Sequence, residues 1–133
     1  MTDRATLLAL AERCEQAAGP NNGLDAEIAL AIGYTHERRG TERACWWRTP
    51  AGQQLAYVGY KNHPPFFTGS LDAAVTLVPE GWIYELGRGE SGTSRSLCRM
   101  SDELGIWTGW AVAATAALAI CAAALRARAA AYE

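Results

Sequence analysis

Between Ile106 and Leu125 the chain carries no charged residue, and this run limits what it can fold into more than any other segment. An uncharged stretch of that length is about what a bilayer-spanning helix needs. Its content points elsewhere. Alanine dominates it, Thr108, Gly109 and Thr115 interrupt it, and after Val112 the large aliphatics are Leu118, Ile120 and Leu125. Alanine contributes little to membrane insertion beside leucine, isoleucine or phenylalanine, so a buried core helix is the better reading. It is expected from near Thr115 to about Ala131, with Leu118, Cys121 and Leu125 along one face. Arg126 and Arg128 then sit at the helix C-terminus, where cations are favoured. Trp107 and Trp110, just before it, are expected either to close the core or to form an oligomer contact.

A chain of 133 residues suffices for one domain, 1–133, with its own core. The apolar share of 50% and charged share of 20% are globular values. A net charge of −2 gives no general attraction for nucleic acid or anionic lipid, so neither is expected as a partner and any anion site must be local. Cys14, Cys45, Cys98 and Cys121 are scattered, and with only His36 and His63 to join them they make no zinc pattern. Reduced structural thiols in a cytosolic protein are expected, with no metal and no cofactor. At the N-terminus Asp3, Arg4, Glu12 and Arg13 interrupt the place where a signal peptide needs an apolar core.

A first helix, capped by Thr2 or Asp3, is expected to bury Leu7, Leu8, Ala11, Cys14 and Ala18, and Gly19 through Gly23 stop it. A second runs over Leu24–Ile32, with Asp25 and Glu27 complementing its dipole and Gly33 as its C-cap. Tyr34–Gly40 reads as a polar loop. Ala44–Arg48 and Gln54–Tyr60 are β-prone runs joined by the turn residues Thr49–Gly52, which suggests a hairpin. Ser70 can cap a third helix over Leu71–Val78, ended by Pro79-Glu80-Gly81. Trp82–Leu86 and Ser94–Met100 alternate apolar and polar residues and read as an antiparallel hairpin.

Three ordered blocks carry a resemblance: Leu24–Ala29; Phe67–Ala74 with Leu77–Trp82; and Ala117–Arg128. Together they are similar to the phage ABA-sandwich domain family. The resemblance implies an α+β fold, a three-layer α-β-α sandwich with a small, mainly antiparallel sheet covered by helices. It also implies a bacteriophage or prophage setting, hence the cytoplasm of a bacterial host, and supplies no catalytic residues. The chain departs from the family at Ala116, where a proline is expected as the first residue inside the last helix.

Two groups stand out as ligand-binding candidates. Arg38, Arg39, Arg43 and Arg48 fall near Trp46, Trp47 and Tyr34, and guanidinium forks beside aromatic faces suit nucleotides. Glu37 and Glu42, interleaved among them, suit a solvated loop instead. The turn Thr68-Gly69-Ser70 precedes a helix start, where free N–H groups can take a phosphate or carboxylate. Asp72 opposes an anion there unless it meets a ribose hydroxyl; Ser70 and Asp72 also suffice as plain caps. Asp25 reads as core and capping alone. Gly87-Arg88-Gly89-Glu90-Ser91-Gly92 matches a dinucleotide pattern in letters but reads as a hairpin tip, since no helix follows it. His36 and His63 lack a nucleophile partner, and a carboxylate pair among Glu85, Glu90, Asp102 and Glu103 needs a separation that sequence does not give.

No catalytic constellation is recognisable, and binding rather than catalysis is expected. The leading expectation is a non-enzymatic small-molecule binder, sequestering a nucleotide-type bacterial immune signal through Arg38, Arg39, Arg43, Trp46, Trp47, Thr68, Gly69, Ser70 and Asp72. The alternatives are a phage structural or accessory interaction module using Trp107 and Trp110, and a nucleotide hydrolase using His36 or His63. A homo-oligomer, a dimer or higher, suits all three.

Overall fold

The uncharged run divides into two elements, a strand over Trp107–Ala113 and a helix over Ala116–Ala130. A computed structural model describes residues 3–38, 45–53, 64–88 and 95–131. In chain order its elements are α1 (Arg4–Gln16), α2 (Asn22–Ala31), β1 (Thr35–Arg38), β2 (Cys45–Arg48), α3 (Leu71–Val75), β3 (Ile83–Arg88), β4 (Ser96–Ser101), β5 (Trp107–Ala113) and α4 (Ala116–Ala130). The fold is α+β, with helices covering a small antiparallel sheet.

Helix α4 explains the absence of charge. It packs against α1, α3, β4 and β5. Every residue from Ala117 to Leu125 is buried, and a helix buried all round has no polar face to spend. Its alanines allow close approach on each side. Thr115 caps it by accepting the Leu118 N–H at 3.2 Å, which starts the helix at Ala116 with no proline at that position. The arginines come where the helix leaves the core: Arg128 donates to the Leu77 carbonyl at 2.8 Å, and Arg126 reaches the Trp110 carbonyl at 2.9 Å. No helix among the described residues is long and apolar enough to cross a membrane.

Strands β3, β4 and β5 form a sheet in that order, antiparallel throughout, with a bulge at Met100/Ser101. Cys98, Met100, Ala111 and Ala113 are buried toward α4, while Arg99 and Trp110 point to the other, open face. The hairpin expected from Trp82 to Met100 is present, although its tip lies outside the described residues. Strand β5 is an addition to the sequence reading, which gave Ile106–Ala114 no element.

Three smaller expectations are corrected. Thr35–Arg38 is not loop but a strand, antiparallel to Cys45–Arg48, held in part by the His36 ring stacked on Trp47. On α1, Leu10 is buried and Leu8 is exposed, because the apolar stripe runs through Leu7, Leu10, Ala11 and Cys14. Asn21, expected as a breaker, is the N-cap of α2 and accepts the Leu24 N–H at 2.9 Å. The strand expected over Gln54–Tyr60 lies outside the described residues.

Candidate functional site

The turn Thr68-Gly69-Ser70 faces inward. Its Thr68 N–H donates to Asp25 Oδ1 at 2.7 Å, and the Thr68 hydroxyl donates to the same oxygen at 2.8 Å. The hydroxyl oxygen in turn accepts the Asn21 N–H at 2.8 Å. Asp25 is 2% exposed and Thr68 1% exposed, so neither presents a polar group to solvent. Burying a carboxyl group is costly unless hydrogen bonds replace its water, and Thr68 supplies two of them. The rest of the turn closes on itself: the Gly69 and Ser70 N–H groups both donate to the Phe66 carbonyl, at 3.1 and 2.8 Å. Ser70 Oγ accepts the Ala73 N–H and so caps α3. A Cβ on Gly69 would lie 3.1 Å from Pro20 Cβ, so its missing side chain lets the breaker before α2 pack against the turn. Asp72 is exposed in the first turn of α3.

The geometry gives this turn a structural job, with the N–H groups of Thr68, Gly69 and Ser70 all bonded within the protein. Asp25, read from the sequence as core and capping, is buried, and its partner is the distant Thr68. Phe67 carries the connection deeper: its ring meets Tyr34 edge-on with centroids 6.1 Å apart, and its carbonyl accepts the Cys121 thiol at 3.1 Å. Burial raises the Tyr34 phenol above its ordinary value, with Arg128 pulling the other way.

Of the arginine–tryptophan group, the side chains of Trp47 and Arg48 are described. Trp47 is a buried core residue stacked on the His36 ring, with centroids 4.7 Å apart and planes 20° off parallel. Arg48 donates to the Gly52 carbonyl at 3.3 Å, inside its own turn. Arg39, Arg43 and His63 lie outside the described residues, as do the side chains of Arg38, Trp46 and Trp107. Two of the candidate carboxylates, Glu85 and Asp102, have local partners. Glu85 pairs with Arg99 at 3.2 Å on the open sheet face, and Asp102 accepts the Leu104 and Ile106 N–H groups at 2.9 and 3.0 Å. Gly87 and Arg88 end β3, and the next described element is β4, so among the described residues no helix follows to complete a dinucleotide motif. Cys14, Cys98 and Cys121 are free and buried. Burial pushes the Cys98 thiol up to about 12, and the neighbouring Cys14 thiol, with burial, raises that of Cys121. Neither thiol is a nucleophile in that state. Among the described residues, no group of His, Cys, Asp or Glu side chains is arranged to hold a metal ion.

What the molecule turns outward is the face of β3–β4–β5 opposite α4. Trp110 is 62% exposed there, beside Arg99, its cross-strand neighbour, which in turn faces Glu85. Ile83, on the same face, is 59% exposed. Beside Trp110 a cleft of about 400 Å³ opens, lined by Glu15, Trp110, Val112 and Arg126. Glu15 is its electrostatic hub. Its carboxylate accepts the Val112 N–H at 3.1 Å and is ion-paired with Arg126. Arg95 donates to the Glu15 carbonyl at 2.8 Å and the Val112 carbonyl at 3.3 Å. Burial pushes the Glu15 carboxyl up, but the Arg126 and Val112 hydrogen bonds and the charges of Arg126 and Arg95 outweigh it, so its pKa lies below the ordinary value. Sequence reasoning singled out Trp110 but neither Glu15 nor Arg95. No signal in the chain joins residues 15, 95, 110 and 126, which only the packing of α1 and α4 against β5 brings together.

No protein-family model, curated protein or solved structure matches the chain.

Proposed function

We propose that this chain is a non-enzymatic binding module that engages a partner protein through the open face of its three-stranded sheet, centred on Trp110. The observation that carries this is a tryptophan 62% exposed beside Arg99 on the sheet face opposite α4, with Ile83 59% exposed on the same face. Aromatic side chains on such surfaces are the usual anchors of protein interfaces, and exposed apolar clusters of this kind mark interaction sites. The resemblance to the phage ABA-sandwich family supports a bacteriophage or prophage origin and the host cytoplasm as the setting, which makes a virion component or a host protein the class of partner. The test is affinity capture from phage-producing cells with the native chain and Trp110→Ala, followed by binding measurements on the purified partner. A partner bound by the native chain and weakened at least tenfold by Trp110→Ala supports the reading; a partner indifferent to Trp110 contradicts it.

The cleft favours a second reading, capture of a nucleotide-type small molecule. An exposed indole offers a base a stacking face, and the adjoining arginines offer charge to a phosphate. In this reading the ligand meets Trp110 and Arg126 rather than the Thr68–Ser70 turn. Retention and thermal-shift measurements against cyclic dinucleotides and cyclic ADP-ribose isomers test it. Binding that Trp110→Ala abolishes supports it, and no shift across the panel removes it.

A further inference from the structure

The two edges of the three-stranded sheet are treated differently. The β5 edge is guarded: Glu15 takes the Val112 N–H, Arg95 the Val112 carbonyl, and Arg126 the Trp110 carbonyl. Such side-chain capping stops an edge strand from recruiting another chain. The β3 edge has no such guard. All six residues of β3 are exposed, and among the described residues no side chain caps its backbone. Three of them are large and apolar, Ile83 at 59%, Leu86 at 40% and Tyr84 at 38% exposed.

Which backbone groups β3 offers follows from the register. In an antiparallel strand the N–H and C=O of one residue point to the same side, and those of its neighbours to the other. Trp110 and Val112 point away from β4, since their groups meet Arg126, Glu15 and Arg95; Ala111 therefore points to its partner Cys98. By alternation Leu97 and Arg99 point to β3, where they pair with Gly87 and Glu85. Tyr84, Leu86 and Arg88 are left pointing outward, their N–H and C=O groups unpaired among the described residues.

We infer that β3 pairs with β3 of a second copy of this chain, antiparallel about a two-fold axis at Leu86, joining two three-stranded sheets into one. The side chains select that occupant and that register. With the axis at Leu86, the two Leu86 side chains meet, each Tyr84 lies opposite the other copy's Arg88, and each Glu85 lies opposite Gly87. The tyrosine ring under a guanidinium is an attractive pair, and all three outward residues of each strand are used. Moving the axis to Glu85 sets two carboxylates directly opposite each other, which is unfavourable. Moving it to Gly87 leaves Tyr84 without an outward-pointing partner inside β3. A self-complementary edge of this kind is what an isologous dimer requires. The pairing uses the edge and not the face of the sheet, so it stands apart from the partner reading above.

Sedimentation of the native chain from micromolar upward, with hydrogen exchange on the same samples, tests the inference. The expected result is a monomer–dimer equilibrium in which the Tyr84, Leu86 and Arg88 amides gain protection as dimer forms, while Glu85 and Gly87 are protected throughout. Leu86→Lys, which sets two ammonium groups across the axis, is expected to weaken association on the order of a hundredfold with its circular dichroism unchanged. A chain that stays monomeric overturns the inference. So does a dimer in which those three amides exchange freely, an outcome readable on the native chain even if the variant fails to fold.

Discussion

Leu24-Asp25-Ala26 and Leu71-Asp72-Ala73 are the same tripeptide near the starts of two helices, and the fold uses them in opposite ways. Asp25 is 2% exposed and receives both polar groups of Thr68, a residue 43 positions away. Asp72 is exposed in the first turn of a five-residue helix whose cap is Ser70. The difference lies in what tertiary structure brings up to each. The loop before α3 folds over the start of α2 and supplies Asp25 with a partner. A carboxylate near a helix N-terminus gains a few tenths of a kcal/mol from the dipole when exposed; a buried carboxyl group that accepts two hydrogen bonds from a distant loop is a tie between elements.

That contrast can be broken in graded steps. Asp25→Ala strands the Thr68 N–H in the interior, and is expected to cost about 3 kcal/mol, a fall in the unfolding midpoint on the order of 10 °C by differential scanning calorimetry. Thr68→Val keeps the shape but removes an acceptor for the Asn21 N–H and a donor to Asp25, for an expected loss of about 2 kcal/mol in urea unfolding. Asp72→Ala leaves Ser70 in place and is expected to cost about 0.5 kcal/mol or less. A cost for Asp72→Ala as large as that for Asp25→Ala would end the distinction.

Glu15 supplies a third carboxylate, partly exposed, and sharpens the same comparison through pH. Its folded pKa lies below the ordinary value of 4.5, so its contribution is complete above that value and is lost as pH falls through the folded pKa. Thermal melts of native chain and Glu15→Gln between pH 7 and 3 are expected to converge below pH ~4.5. A constant gap down to pH 3 would assign the hub a role independent of its charge.

Much of this was legible in the sequence, for local reasons. Asp3, Ser70 and Thr115 cap their helices through their own next turn, and the Trp82–Met100 alternation carries its hairpin. The uncharged run announced a buried helix because α4 is covered on all sides. What the sequence hid was non-local. Strand β5 sits inside a run whose alanines suit a helix equally well, and sheet pairing with β4 decides the matter. The candidate site misled for the same reason: a hydroxyl-rich turn before a helix looks open until a buried aspartate is found behind it. Trp47 looked like a ligand face but is buried, whereas Trp110, with the same side chain, is turned outward.

The most direct test of that inward tie compares the unfolding midpoints of Asp25→Ala and Asp72→Ala, the same truncation in the same tripeptide. The tie predicts that Asp25→Ala melts lower by on the order of 10 °C, while Asp72→Ala stays within about two degrees of the native chain. Equal midpoints for the two variants would contradict it.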